Sequence, residues 1–271
     1  MNPRPRPGVL AEWYAGKGDG SEDWTDHFAG YYRRKFEVDR DLFREYVDRI
    51  RRYKAAGRFL DVGCGNGASL VAAREAGFEI QGIEPGAWAQ DWAREYDLPI
   101  RRVTLMDNDF PDGYFDVVFS KSFMEHVTSP SAALREMRRL LKDDGLLVCA
   151  GVPNFDSFTI RIGRDLFCGN KPPAHLYYFQ TRTLAALIKE SGFSLCEVRS
   201  WGLPNQVLAG LLGRKTQTDV KATVDKSATG GRKGWLEAPY RWARALVNRI
   251  LNYFDMGAVT DVYAWKKGEV S

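Results

Sequence analysis

The chain is poor in the residues that would make it a metal module, a secreted scaffold or a membrane span. It has four cysteines in 271 residues. Cys64, Cys149, Cys168 and Cys196 are widely spaced and form no Cys-x-x-Cys pair, which excludes a zinc ribbon and a disulfide framework. Free thiols in a reducing, cytoplasmic setting are expected. No apolar run approaches the ~18–20 residues that cross a bilayer. The start, Met1 to Gly8, carries Arg4 and Arg6 but no apolar stretch behind them, so no secretory leader is expected. Histidine is scarce too, with three in the chain, which shortens any search for a base.

A net excess of charge of one sign is absent from the body of the chain. The net charge is +4. Between Gly213 and Gly234 lie Arg214, Lys215, Lys221, Lys226, Arg232 and Lys233 against Asp219 and Asp225, which accounts for that entire excess. The remainder is balanced, so no nucleic-acid partner is expected.

What is present is enough apolar material for a large core, 44% hydrophobic and 13% aromatic residues. The first 26 residues are rich in Pro, Gly and charge and read as an arm. From His27 to Tyr53 apolar residues recur at three- and four-residue spacing, the signature of an amphipathic helix. Strands and helices then alternate. Arg58–Val62, Phe78–Ile83, Ile100–Leu105, Phe115–Ser120, Leu146–Ala150, Leu195–Trp201 and Val259–Lys266 read as strands. Helices are expected over Ala68–Ala76, Ala87–Tyr96, Ser129–Leu141 and Thr183–Ser191. That order predicts an α/β, Rossmann-like doubly wound sheet, mainly parallel. Three parts are expected: an arm and cap helix over 1–56, an α/β domain over 57–202 and 257–271, and an insertion over 203–256.

Leu60-Asp61-Val62-Gly63-Cys64-Gly65-Asn66-Gly67 joins the first strand to the next helix. Its glycines allow a tight turn and let a ligand lie against bare main chain near a helix N-terminus. Glu84, in Ile83-Glu84-Pro85 at the end of the second strand, can accept hydrogen bonds from the vicinal hydroxyls of a ribose. Loop and acid together read as a site for a nucleoside-containing cofactor. Gly63-x-Gly65-x-x-Ala68 also satisfies the dinucleotide fingerprint, so an NAD(P)-binding oxidoreductase stands as an alternative. Asp61, two residues before the first glycine, suits a ligand ammonium group better than a pyrophosphate.

These residues carry a family resemblance. Asp61-x-Gly63-x-Gly65-x-Gly67, Glu84-Pro85, Phe115-Asp116-Val117-Val118, Glu125-His126-Val127 and Gly145-Leu146-Leu147 resemble class I S-adenosylmethionine-dependent methyltransferases. The segment from Pro173 to Phe179, with Thr183-Leu184 and Gly192-Phe193, is similar to the branch of small-molecule and ubiquinone-type methyltransferases. The resemblance implies a seven-stranded sheet with an antiparallel last strand and S-adenosyl-L-methionine as cofactor. It implies that Asp61, Gly63, Cys64 and Gly65 hold the methionine end and that Glu84-Pro85 meets the ribose. Leu105 and Met106 would flank the adenine, with Ser120 beside the sulfonium. Methyl transfer to a small-molecule hydroxyl is expected, on a sugar, phenolic or natural-product intermediate. A methyltransferase fold kept as a non-catalytic scaffold is the other alternative.

An in-line displacement needs alignment, and a base when the acceptor is a hydroxyl. His126 and His175 are the candidate catalytic residues. Tyr31, Tyr32, Tyr177 and Tyr178 are candidates for substrate binding. Ubiquinone-type relatives can carry an acid three positions before the Glu-His pair, completing a divalent-ion site; here that position is Ser122, so no metal is expected. The insertion divides into the basic stretch Gly213–Gly234 and an amphipathic, aromatic helix over Trp235–Phe254. Its readings are packing on the domain, a wall over the acceptor pocket, or weak membrane-surface contact through 213–254.

Overall fold

The computed structural model describes residues 23–162, 175–202 and 247–266, with the side chains of residues 23–34 and 162 outside that description. A long helix, α1 (Asp23–Ile50), precedes β1 (Arg58–Val62), α2 (Ala68–Glu75), β2 (Glu79–Ile83), α3 (Ala89–Glu95) and β3 (Ile100–Arg101). Then follow β4 (Phe115–Lys121), α4 (Pro130–Leu140), β5 (Leu141–Pro153), a short α5 (Phe158–Ile162), α6 (Thr181–Glu190), β6 (Ser194–Trp201) and β7 (Val259–Trp265). The strands form one seven-stranded sheet in the order β3-β2-β1-β4-β5-β7-β6. β1 to β5 pair in parallel, and β7 inserts antiparallel between β5 and β6.

Both faces of the sheet are buried, and the strand residues divide between them with period two. Phe59, Val117, Phe119, Leu146, Val148 and Tyr263 point into one core, shared with α1 and α2. Leu60, Val118, Leu147, Cys149 and Val262 point into the other, where Leu134 and Met137 of α4 and Leu184 and Ile188 of α6 meet them. Near-continuous apolar strands are the consequence of this double coverage.

α1 runs unbroken from Asp23, four residues before the periodic stretch read from sequence. It buries Phe36, Tyr46, Val47 and Ile50, and Phe43 and Tyr46 meet Phe119 of β4 edge-on. A buried carboxylate ties it down. Asp261 of β7, 0% exposed, accepts from Tyr46 Oη at 3.1 Å, Gly151 N at 2.8 Å and Trp201 Nε1 at 2.5 Å.

Some boundaries differ from the sequence reading. The strand expected over Ile100–Leu105 is two residues long, and a 3₁₀ turn occupies Leu105–Asp107. Its partner β2 ends at Ile83, and Pro85 just beyond has no N–H to continue a ladder. β5 begins at Leu141 rather than Leu146, but Phe115 faces Leu141 while Val117 faces Leu146, so residues 142–145 bulge out of the ladder. Ser129 caps α4, its hydroxyl accepting from Ala132 N at 3.4 Å, and Gly77 (φ +92°) ends α2. Of the amphipathic helix expected over Trp235–Phe254, only residues from 247 onward are described. They are helical over 247–253, with Leu251 buried and Ile250, Tyr253 and Phe254 exposed. The basic stretch Gly213–Gly234 lies outside the described residues. No helix among the described residues is long and apolar enough to cross a membrane.

Candidate active site

The order of the sheet reverses between β1 and β4, and an open α/β sheet binds its ligands at such a switch point, beyond the strand C-termini. The glycine loop lies there. Gly63, Gly65 and Gly67 all adopt left-handed backbone, with φ of +75°, +54° and +72°. A Cβ on Gly67 would fall 2.4 Å from Leu98 Cδ1, so a side chain there would also have to displace the end of Leu98. Gly63 N and Cys64 N both donate to Ile83 O, at 2.9 and 3.2 Å, fastening the loop to the end of β2.

Two carboxylates flank this loop, Asp61 buried and Glu84 half-buried. Glu84 accepts from Gly86 N at 2.9 Å and from Gly65 N at 3.3 Å. Burial raises its pKa, and these two backbone donors oppose that rise. Asp61, at the end of β1, is 2% exposed. Its Oδ2 accepts the Ser69 hydroxyl, while its Oδ1 has no hydrogen-bond partner among the described residues. Burial, above all, pushes this carboxyl up to about 7; Glu84 adds to the rise, and Ser69 and Lys121 act against it. A buried carboxylate oxygen without a donor is costly unless a ligand supplies one. The α-ammonium of S-adenosylmethionine is a donor of the required charge, and the cradle therefore fits that cofactor.

The remaining cofactor candidates divide. Cys64 contributes backbone to the loop while its thiol is packed in the core, with its pKa raised well above normal by burial and then by Asp61 and Glu84. Leu105 is buried beside Ile83 in the second core, whereas Met106 is 60% exposed. Pro85 O accepts from Arg102 Nε at 3.3 Å. Ser120 is buried at the end of β4, next to the Cys149 thiol.

The loop after β4 assembles a second group. Phe123 leans over the glycine loop, its ring 3.1 Å from where a Gly63 Cβ would be. His126 and His175, 49 positions apart in the chain, meet with ring centroids 4.7 Å apart and nearly perpendicular planes. The backbone explains the meeting: Leu176 N and Tyr177 N both donate to Glu125 O, at 2.8 and 3.2 Å. The buried Glu125 carboxylate lies 3.8 Å from His126 Nε2. Glu125, His126 and His175 each offer a ligand atom, all within 4.8 Å of one another, so an ion could be held there without help from Ser122. Ser122, at φ +50°, donates its hydroxyl to Gly151 O at 3.1 Å.

Tyr178 stands beside His175 and Phe155, at 6.5 and 5.1 Å between centroids. Tyr177 turns aside, its hydroxyl donating to Thr128 O at 3.1 Å. Tyr31 and Tyr32 lie on α1, but their side chains are outside the described residues.

Comparison with known proteins identifies the family. Residues 38–198 match the family described as methyltransferase domain. The chain is 34% identical over 111 residues to a ubiquinone biosynthesis O-methyltransferase of Rhodopseudomonas palustris, covering 39% of this chain and 44% of that one. It is 30% identical over 143 residues to a 2-methyl-6-phytyl-1,4-hydroquinone methyltransferase of Synechocystis, covering 47% and 45%. The matched region thus spans less than half the length of these curated relatives. Among solved structures, a SAM-dependent methyltransferase from Archaeoglobus fulgidus superposes with TM-score 0.57 at 19% identity, covering 87% and 98%. The [4+2]-cyclase SpnF superposes with TM-score 0.54 at 21% identity, covering 83% and 81%. At these identities the likeness is one of fold. The family match decides between the two nucleoside readings of the glycine loop: the chain belongs to the class I S-adenosylmethionine-dependent methyltransferases.

Proposed function

We propose that the protein transfers a methyl group from S-adenosylmethionine to the hydroxyl oxygen of a small aromatic acceptor of the phenol or hydroquinone class. The observation that carries this reading is the His126–His175 pair, 4.7 Å apart, beside a buried carboxylate and just beyond the cofactor loop. A hydroxyl must lose its proton as it attacks, and a positioned imidazole is the usual recipient. Two curated relatives support the acceptor class, one named for O-methylation in ubiquinone biosynthesis and one for a hydroquinone.

S-adenosylmethionine supplies an electrophilic methyl group when bound. In this reading Asp61 takes its ammonium, Glu84 its ribose hydroxyls, and the Gly63–Gly65 backbone gives it room. His126 or His175 accepts the acceptor's proton, and the Glu125 carboxylate stabilises the imidazolium that results. Tyr178 and Phe155 offer aromatic faces to the acceptor ring. Catalysis then consists of alignment, water exclusion and one proton transfer. No metal has a part in this scheme.

The test is to incubate the chain with methyl-labelled S-adenosylmethionine and a set of catechols, hydroquinones and monophenols, and to identify products by mass spectrometry. Methyl ethers are expected, and His126→Ala or His175→Ala should lower kcat ~10²-fold while cofactor binding stays normal. Label on ring carbon or on nitrogen acceptors only would refute the proposal.

A further inference from the structure

We propose that Trp88 is a further cofactor-binding residue, its indole N–H donating to a ribose hydroxyl whose own proton goes to Glu84. This rests on reading Glu84 as the acceptor of the ribose hydroxyls.

Trp88 stands at the end of the turn that carries the chain from β2 into α3. The turn is tight. Gly86 N donates to Glu84 Oε1 at 2.9 Å, and Ala89 N donates to Gly86 O at 3.2 Å. These bonds fold the segment back, so the residue four positions beyond Glu84 returns to its carboxylate. The position that a Cβ on Gly86 would take shows how close the two come. It lies 2.4 Å from Trp88 Nε1, 3.0 Å from Trp88 Cδ1 and 3.1 Å from Glu84 Oε1. The pyrrole edge of the indole and the carboxylate oxygen thus look into one small volume. The absence of a side chain at Gly86 leaves that volume open.

The indole is held by its other side. Trp88 is partly buried, packed against the core that α1 and α2 share with the sheet. A tryptophan anchored in this way presents one polar edge from an apolar body. Packing has already fixed the ring, so ordering it on binding costs little. The sequence reading placed Trp88 inside a helix over Ala87–Tyr96, where a tryptophan reads as core.

The hydrogen-bonding inventory gives the pair its purpose. A hydroxyl offers one donor and two acceptor lone pairs, whereas a carboxylate only accepts and an indole N–H only donates. Glu84 can therefore take the hydroxyl proton but gives nothing to the hydroxyl oxygen. The nearby main-chain donors, Gly65 N and Gly86 N, point at the carboxylate itself. Trp88 supplies the complementary donor. Together the two side chains ask for a hydroxyl at that ribose carbon, since a deoxy ligand answers neither of them.

The experiment is calorimetric titration of the full chain with S-adenosylhomocysteine and with two analogues, each lacking one ribose hydroxyl. Trp88→Phe keeps an aromatic ring and removes the N–H. It should bind S-adenosylhomocysteine ~5–10-fold more weakly than wild type does. It should bind one of the two analogues as wild type does, because the hydroxyl that the N–H meets is missing there. Replacing Trp88 by its benzothienyl isostere keeps the whole bicycle and should give the same two results. Unchanged affinity for S-adenosylhomocysteine in either variant would overturn the proposal. So would a loss in Trp88→Phe that is equal for all three ligands, which marks packing alone. Failure of the underlying reading looks different: a wild type that binds all three ligands equally removes the ribose role of Glu84 and the Trp88 bond together. A wild type that rejects the analogues, with variants that reject them as strongly, keeps Glu84 and removes Trp88.

Discussion

Asp61→Asn should make the protein more stable at alkaline pH and a poorer binder of its cofactor. Asp61 is fully buried, with one oxygen on Ser69 and the other without a partner among the described residues. In the folded chain its carboxyl is pushed from 3.8 up to about 7, chiefly by burial. The unfolded chain releases this proton near the ordinary value, while the folded chain holds it until about pH 7. Raised folded-state affinity for the proton means that stability is highest at low pH and is lost as pH rises through about 7. Over the whole interval the loss amounts to ~4 kcal/mol. Asparagine abolishes that titration. It can keep the Ser69 hydrogen bond through its amide oxygen, but it buries an unpaired N–H₂ at a cost of ~1–3 kcal/mol. That cost does not vary with pH, so the cleanest quantity is the change in mutational effect between pH 5 and pH 8. Two of the pH units lie below the folded pKa, which gives ~3 kcal/mol in favour of the variant. Urea unfolding at the two pH values measures it. In parallel, the variant should bind S-adenosylmethionine ~10–100-fold more weakly, having lost a charged acceptor for the ammonium. A mutational effect that is the same at both pH values, or an unchanged affinity, would refute the reasoning.

Glu84→Ala should weaken cofactor binding ~10–100-fold by equilibrium dialysis, since one of its oxygens holds Gly65 of the loop, the other accepts from Gly86 N, and in the proposed reading its charge meets the ribose hydroxyls. Cys64→Ala should keep most of the turnover, because the thiol is packed in the core with its pKa raised; loss of turnover with normal cofactor binding would show otherwise. Dialysis against a chelator should leave turnover unchanged, and a loss that a divalent ion restores would instead assign Glu125, His126 and His175 to a metal.

The parts of the fold legible in the sequence were those whose burial is dictated locally. β1, β4 and β7 are short apolar runs between turn signals, and their alternating cores follow from sheet geometry. β3 was overread because Val103 and Leu105 are apolar, yet the ladder fails where Pro85 follows β2. α5 is five residues long, too short to show a helical period. At the site, Asp61, the glycines and Glu84 were readable because strand, turn and acid are close in sequence. The meeting of His126 with His175 was not, since it depends on backbone bonds from Leu176 and Tyr177 to Glu125 O.

The central claim is that the loop between Asp61 and Gly67, with Glu84, is a cradle for S-adenosylmethionine. Isothermal titration of the wild-type chain at pH 7 tests it most directly, run in two buffers of different ionisation enthalpy. Binding at one site is predicted, with release of ~0.5 proton as the cation displaces the proton from a carboxyl that is half-ionised at that pH. NADPH should give no heat of binding. Binding of NADPH in place of S-adenosylmethionine, or cofactor binding with no proton released, would contradict the account.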